Sequence, residues 1–173
     1  MNFVVPDFYP AAAEIFVAVM ALVIMLASTF ARSIARNLAY LLTQATLIAA
    51  AFITIFTIEG EVVHTFGNLF ISDLMGDVLK LMIYFSTAIA LLYGRGYLAD
   101  RKIDRPEYYL LALLMTLGMM VMVTANHMLP MYIGLEMMSL ALYTMVAFDR
   151  DSARSTEAAM KYFVLGALAS GLL

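Results

Sequence analysis

The chain has 173 residues, of which 64% are hydrophobic and 13% are charged, and its formal net charge is −3 at pH 7. The charged share is about half that of a typical soluble domain. Several apolar runs approach the ~20 residues that a helix needs to cross a bilayer. A membrane β-barrel is excluded, since its strands would alternate in polarity over ~10-residue segments. The absence of cysteine excludes disulfides, thiol catalysis and cysteine-based metal centres in these residues.

The apolar runs predict an all-α integral membrane protein, a polytopic transmembrane helix bundle. Residues 1–173 are expected to form a single transmembrane domain. The predicted spans are 10–29, 38–58, 73–93, 106–124, 129–148 and 155–173. Loops are expected over residues 59–72 and 94–105. The N-terminus has no basic region typical of a cleavable signal peptide. The sixth apolar run is still continuing at Leu173, so the full-length protein is expected to be longer.

The basic residues predict the orientation of the helices in the membrane. The loops after the odd-numbered helices hold Arg32, Arg36, Arg95, Arg101, Lys102, Arg105, Arg150 and Arg154. The N-terminus and the loops after helices two and four have none. Because basic loops stay in the cytoplasm, the N-terminus is expected outside.

The fifth predicted helix carries a carboxylate, Glu136, well inside its apolar run. A charge at membrane depth costs between ~2.5 and ~17 kcal/mol, depending on the reference state, and such residues are usually functional. At helical spacing, Tyr132, Glu136, Ser139 and Tyr143 share one face. This polar stripe is expected to face protein or water. A structural carboxylate that locks neighbouring helices together is the alternative.

Lys161 lies about six residues into the sixth predicted helix. Glu157 stands four residues before it, which is the favourable order for an ion pair within a helix. Lys161 could therefore serve as a buried proton carrier, rest on Glu157 or extend to the membrane surface. A buried carboxyl group and a buried amine both titrate closer to neutral pH, while an opposite charge nearby reverses this effect. A proton relay needs at least such buried groups, which can gain and lose protons.

Other ionisable residues have simpler explanations. Asp77 and Lys80 stand at i and i+3 near the outer end of helix three, with Tyr84 on the same face, and a partly hydrated local ion pair accounts for them. Glu14 lies near an interface. His64 and His127 are expected in solvated outer turns, and no cluster has metal-ligand spacing.

Three segments carry a resemblance to a known family. They are PEYYLLALLMTLGMMVMVTAN (residues 106–126), YIGLEMMSLALY (132–143) and EAAMKYFVLGALASG (157–171). In order and spacing they resemble the antiporter-like membrane subunits of respiratory complex I, the proton-translocating NADH:quinone oxidoreductase of bacteria. Members of this family have about fourteen helices. Their glutamate on the fifth helix and lysine on the sixth correspond to Glu136 and Lys161.

The resemblance implies a membrane-arm subunit that couples quinone reduction to proton translocation. Glu136 and Lys161 would carry protons, with Tyr132, Ser139, Tyr143 and Glu157 around them. It also implies a multi-pass protein of the bacterial inner membrane, with the other membrane-arm subunits and lipid as partners. FMN, iron–sulfur clusters, NADH and quinone would belong to the complex, and none of them to this chain. A subunit of a multi-subunit sodium/proton antiporter is the alternative, and a scaffold is a third.

Overall fold

The computed structural model describes residues 7–30, 35–58, 62–101 and 103–173. Its elements are a 3₁₀ turn (Tyr9–Ala11) that leads into α1 (Ala12–Phe30), α2 (Ala35–Thr57), β1 (Val63–Thr65), β2 (Phe70–Ser72), α3 (Leu74–Asp100), α4 (Pro106–Val123), α5 (Met128–Val146) and α6 (Ala153–Leu172). The predicted all-α membrane class is confirmed. Arg32, Glu59, Gly60 and Lys102, which entered the sequence predictions, lie outside the described residues.

Helices α1 to α5 are long and apolar enough to cross a membrane, and in the described ranges they are the only ones that meet both conditions. Six spans were expected from the sequence. Helix α6 has the necessary length at 20 residues, but Glu157 and Lys161 lower the hydropathy of its first half. The chain is therefore a multi-pass membrane protein with five clear spans and one more polar helix.

The core lies among α1, α2, α3 and α4. Helix α1 packs against α2 and α4, and α3 packs against the same two helices. Large buried side chains fill the centre of this bundle: Val17, Ile24, Leu47, Tyr84, Tyr109, Leu113 and Met120. Small residues let the helix backbones approach, as is common between membrane helices: Ala13, Ala21, Ala39, Ala50 and Ala112.

Helices α4 and α5 meet through two glycines. A Cβ on Gly118 would lie 2.6 Å from the Met138 backbone nitrogen, and a Cβ on Gly134 would lie 2.8 Å from the Gly118 carbonyl oxygen. Such distances are far inside van der Waals contact. Only glycine therefore fits at these two positions, and the contact fixes α5 against the bundle.

A β-hairpin occupies part of the region that the sequence predicts as a loop. Val63–Thr65 pairs with Phe70–Ser72 in antiparallel register, with His64 opposite Ile71. Phe66, Gly67 and Asn68 turn the chain with positive φ angles of 54°, 65° and 71°. The Ile71 amide donates to the Thr124 carbonyl at 2.9 Å, so the hairpin is fastened to the end of α4. A loop over all of residues 59–72 was therefore a wrong prediction.

Helix α3 is longer than its predicted span. It continues past Tyr93, through Gly94 and Gly96, and ends at Asp100. Arg95 holds this last part against α2, since its guanidinium lies 4.3 Å from the centroid of the Tyr40 ring and donates to Asn37 at 2.9 Å. The expected loop over 94–105 is thereby reduced to its last residues.

Candidate functional site

Glu136 lies in the middle of α5, about 12 Å from its first residue at 1.5 Å per residue. His127 caps the helix by accepting a hydrogen bond from the Leu129 amide at 3.4 Å, and Pro130 is tolerated because it lies in the first turn. Glu136 Oε1 is buried and has no hydrogen-bond partner among the described residues. A buried polar oxygen without a hydrogen-bond partner is costly, so its position favours a partner beyond the described residues.

The polar stripe of α5 runs from an exposed end to a packed end. Tyr132 is 38% exposed, and Ser139 is half-buried beyond Glu136. Tyr143 packs edge-on against Tyr162 of α6, with ring centroids 4.8 Å apart. The Tyr143 hydroxyl also touches Gly166, where a Cβ would overlap it. The stripe therefore connects the outer end of α5 with the contact between α5 and α6.

Lys161 lies at the surface of α6. Its Nζ is 2.6 Å from Glu157 Oε1, and the two side chains are 71% and 66% exposed. Of the alternatives that the sequence leaves open for Lys161, the structure shows the ion pair with Glu157, because α6 packs mainly on α5 and leaves this face uncovered. The structure gives no ion pair or hydrogen bond between Lys161 and Glu136 among the described residues.

A second group of charges is buried between α1 and α3. Lys80 Nζ lies 2.9 Å from Glu14 Oε1 and 3.3 Å from Asp77 Oδ1. The three side chains are 2%, 9% and 5% exposed, respectively. The predicted ion pair of Asp77 and Lys80 is therefore confirmed, but it is buried and not partly hydrated, and Glu14 joins it from α1. We call Glu14, Asp77 and Lys80 the buried triad.

Local structure explains why the triad forms. Asp73 caps α3 by accepting a hydrogen bond from the Gly76 amide at 2.8 Å, and this sets Asp77 in the first turn of the helix. Lys80 follows one turn later, with its Nζ 5.7 Å from the centroid of the Phe70 ring in the hairpin. The hairpin thus closes the end of the bundle over the triad. Opposite charges at similar depth on α1 and α3 were the sequence signal that could have revealed it.

Another polar network ties together the opposite end of the bundle. Asp104 accepts a hydrogen bond from the Tyr109 hydroxyl at 2.7 Å and lies 3.5 Å from Arg36 Nε. Sequence reasoning missed this network, because Asp104 looked like one of several loop charges. It fixes the chain between α3 and α4 to the start of α2.

The histidines and the rest of the described chain offer no metal centre. His64 is exposed and lies 3.5 Å from the Asn126 amide nitrogen, while His127 serves as the cap of α5. No group of three or more histidine, aspartate or glutamate side chains in the described ranges could hold a metal ion.

Part of this chain matches a known protein family, and all of it is similar to named relatives. Residues 125–173 match the family model for the transmembrane region of NADH:quinone oxidoreductase and Mrp antiporters. The whole chain is 79% identical to NADH-quinone oxidoreductase subunit N of Azoarcus sp. (strain BH72) and 51% identical to that of Nitrosomonas europaea. It spans 35% and 36% of the lengths of these two relatives.

A solved structure has the same fold. A chain in the structure of respiratory complex I from Thermus thermophilus with bound aureothin superimposes with a TM-score of 0.75 at 27% identity. The match covers 92% of this chain and 34% of that one. Over the part of the family's length that it spans, this chain belongs to the subunit N family of NADH-quinone oxidoreductases, among the antiporter-like membrane subunits.

Proposed function

We propose that the protein is a membrane-arm subunit of a proton-translocating NADH:quinone oxidoreductase, and that Glu136 and Lys161 carry protons in it. The observation that carries the proposal is the half-buried Glu136 side chain in a membrane helix, whose Oε1 is buried and unpaired among the described residues. Its relatives that bear the name of subunit N are similar over the whole of this chain.

Electrostatics gives this group its proposed role. A carboxylate without a partner at this depth is strongly disfavoured, so the group gains a proton when a nearby positive charge leaves and loses it when the charge returns. Quinone reduction elsewhere in the complex would change such a charge. The resulting step moves one proton onto or off Glu136 and needs no redox centre on this chain.

The neighbouring polar residues would form the proton path along α5 and the ion pair that opens and closes beside it. Tyr132, Ser139 and Tyr143 lie on the same face of α5 and offer hydroxyl groups to a chain of water molecules. Glu157 holds Lys161 in an exposed ion pair, and exposed pairs are weak, at about 1 kcal/mol or less. We propose that this pair opens when Lys161 passes its proton on, so that Lys161 alternates between Glu157 and the relay.

The proposal also fixes the surroundings of the chain. NADH, FMN, the iron–sulfur clusters and quinone would be bound by other subunits of the complex, and the neighbours of this chain would be other membrane-arm subunits and lipid. The location would be the bacterial inner membrane. The N-terminus would face outward, since the residues that follow α1, α3 and α5 are rich in arginine.

The test is NADH-driven proton uptake in inverted membrane vesicles that contain the full-length complex. Glu136→Gln should abolish most of the acidification, while NADH oxidation by an artificial electron acceptor shows that the complex is assembled. Glu107→Gln is the matched control, because it removes an exposed carboxylate at the start of α4. Full acidification in Glu136→Gln would contradict the role of this residue.

A subunit of a multi-subunit sodium/proton antiporter is the second candidate. The family model that matches residues 125–173 includes Mrp antiporters, and this observation favours it. Sodium-dependent proton exchange in vesicles that do not oxidise NADH would support the antiporter. A pure scaffold, the third reading, requires Glu136→Gln to prevent assembly instead of proton transport.

A further inference from the structure

We propose that the buried triad is a separate proton-binding site, and that Glu14 holds a proton at neutral pH. The site lies between α1 and α3, away from the stripe of α5, and does not depend on the role of Glu136. Its ligand is the proton itself, taken from the aqueous phase on the side of the hairpin. The step forms one O–H bond on the Glu14 carboxyl group.

The argument begins with the charge of the triad. Two carboxylates and one ammonium leave a net charge of −1 if all three groups are ionised. All three side chains are at least nine-tenths buried, so water cannot screen this excess charge. An uncompensated charge at this depth in a membrane protein costs several kcal/mol, and one proton removes it.

The surrounding elements do not supply the missing positive charge. Helix α2 brings Thr54, whose hydroxyl lies 3.3 Å from that of Tyr84 on α3. Helix α4 has its ionisable side chains, Glu107, Tyr108 and Tyr109, at the opposite end of the bundle. The hairpin contributes the ring of Phe70. Among the described residues, Lys80 is therefore the only cation that faces the two carboxyl groups.

The geometry selects Glu14 as the group that takes the proton. Asp77 Oδ1 accepts a hydrogen bond from Lys80 within the same helix. Glu14 Oε1 lies closer to Lys80 Nζ, at 2.9 Å, but both Glu14 oxygens are buried and neither has a hydrogen-bond partner in the described structure. An ionised carboxylate would leave negative charge on the second oxygen, Oε2, which has no ion-pair contact there either. A proton on Oε2 removes this charge while Oε1 still faces Lys80.

Infrared spectroscopy of the purified, membrane-reconstituted complex tests the proposal. A protonated carboxyl group has a C=O stretching band that carboxylates lack and that shifts in D₂O. We expect one such band at neutral pH in the wild type to be missing in Glu14→Gln. It should also be missing in Asp77→Asn, because a single carboxylate then balances Lys80. Glu107→Gln, which removes an exposed carboxyl group, should keep the band.

Two conservative variants locate the proton and keep the test valid if a neutral variant does not assemble. Glu14→Asp should shift the frequency of the band, whereas Asp77→Glu should leave it in place. The proposal is overturned if the band survives in Glu14→Gln or in Asp77→Asn, or if it shifts in Asp77→Glu alone. A carboxylate absorption that responds to Na⁺ at constant pH would also overturn it, because the triad would then be a cation site.

Discussion

The charged side chains of the triad are buried and paired in the four-helix bundle of α1 to α4. In the pair formed by α5 and α6 the charged side chains are exposed or unpaired among the described residues. In the bundle, Lys80 is buried within ion-pair distance of Glu14 and Asp77. In the pair, Glu136 has a buried oxygen without a described partner, and Lys161 lies at the surface on Glu157. The bundle therefore places its charges against one another, while the pair leaves polar groups without a buried partner among the described residues.

This difference distinguishes ion pairs that stabilise the fold, such as the buried triad, from those proposed to take part in proton transfer, such as the pair of Glu157 and Lys161. Breaking a buried pair leaves a charge without compensation, whereas breaking an exposed pair lets water replace the partner. The first kind of pair favours one packing of the helices. The second can open and close at little cost, as a relay requires.

Replacing the central lysine of the triad should have the largest effect. We expect Lys80→Met to destabilise the full-length subunit by about 3–5 kcal/mol, because the buried Asp77 carboxylate loses its counter-charge. Lys161→Met is the matched variant, and it should cost about 1 kcal/mol or less. Thermal unfolding of the purified protein in detergent measures both.

The pH dependence of Lys80→Met sharpens the same comparison. A buried carboxylate that has lost its counter-charge disfavours the folded state, and an added proton removes that charge. Part of the stability lost in Lys80→Met should therefore be recovered as the pH falls. Equal losses in the two lysine variants at every pH would show that burial of the triad is not what stabilises the bundle.

Placing a side chain in the glycine contact between α4 and α5 should have the next largest effect. Gly118→Ala places a methyl group 2.6 Å from the Met138 backbone nitrogen, so α4 and α5 must move apart, at a cost of about 1–3 kcal/mol. Gly96→Ala is the control, because its Cβ meets nothing and alanine favours the helix. Thermal unfolding should show a loss for the first variant and none for the second. A neutral Gly118→Ala would mean that α5 is not fixed by this contact.

Two single-cysteine variants should perturb the structure least and test its orientation. His64 on the hairpin and Asp151 between α5 and α6 are both exposed, and this chain contains no cysteine of its own. In a full-length subunit freed of other cysteines, a membrane-impermeant maleimide applied to intact cells should label His64→Cys and leave Asp151→Cys unlabelled. The reverse labelling would place the N-terminus inside.

Much of the fold could be predicted from the sequence because a membrane imposes simple rules on it. A membrane span needs a long apolar run, and this run ends at the membrane–water interface. Helix α3 departs from this rule, since Arg95 and Tyr97 continue the helix beyond the apolar segment by packing and hydrogen bonding. The hairpin escaped prediction because two strands of three residues give almost no periodic signal.

The two groups of buried charges differed in how visible they were. Glu136 stood out because one carboxylate within a span is conspicuous without any knowledge of its neighbours. The triad depends on contact between Glu14 and Lys80, which are 66 residues apart in the chain. The spacing of Asp77 and Lys80 explained those residues locally and concealed the third member. Pairing between helices is a property of packing, which the pattern of a single helix does not contain.

The most direct test of the proposed function is the number of protons moved per electron by reconstituted complexes that carry Glu136→Gln or Glu136→Asp. The glutamine variant should oxidise NADH with a ratio well below that of the wild type, because its side chain cannot bind and release a proton. The aspartate variant, which keeps the carboxyl group, should retain a higher ratio than the glutamine variant. A wild-type ratio in Glu136→Gln would show that protons do not pass through this carboxyl group.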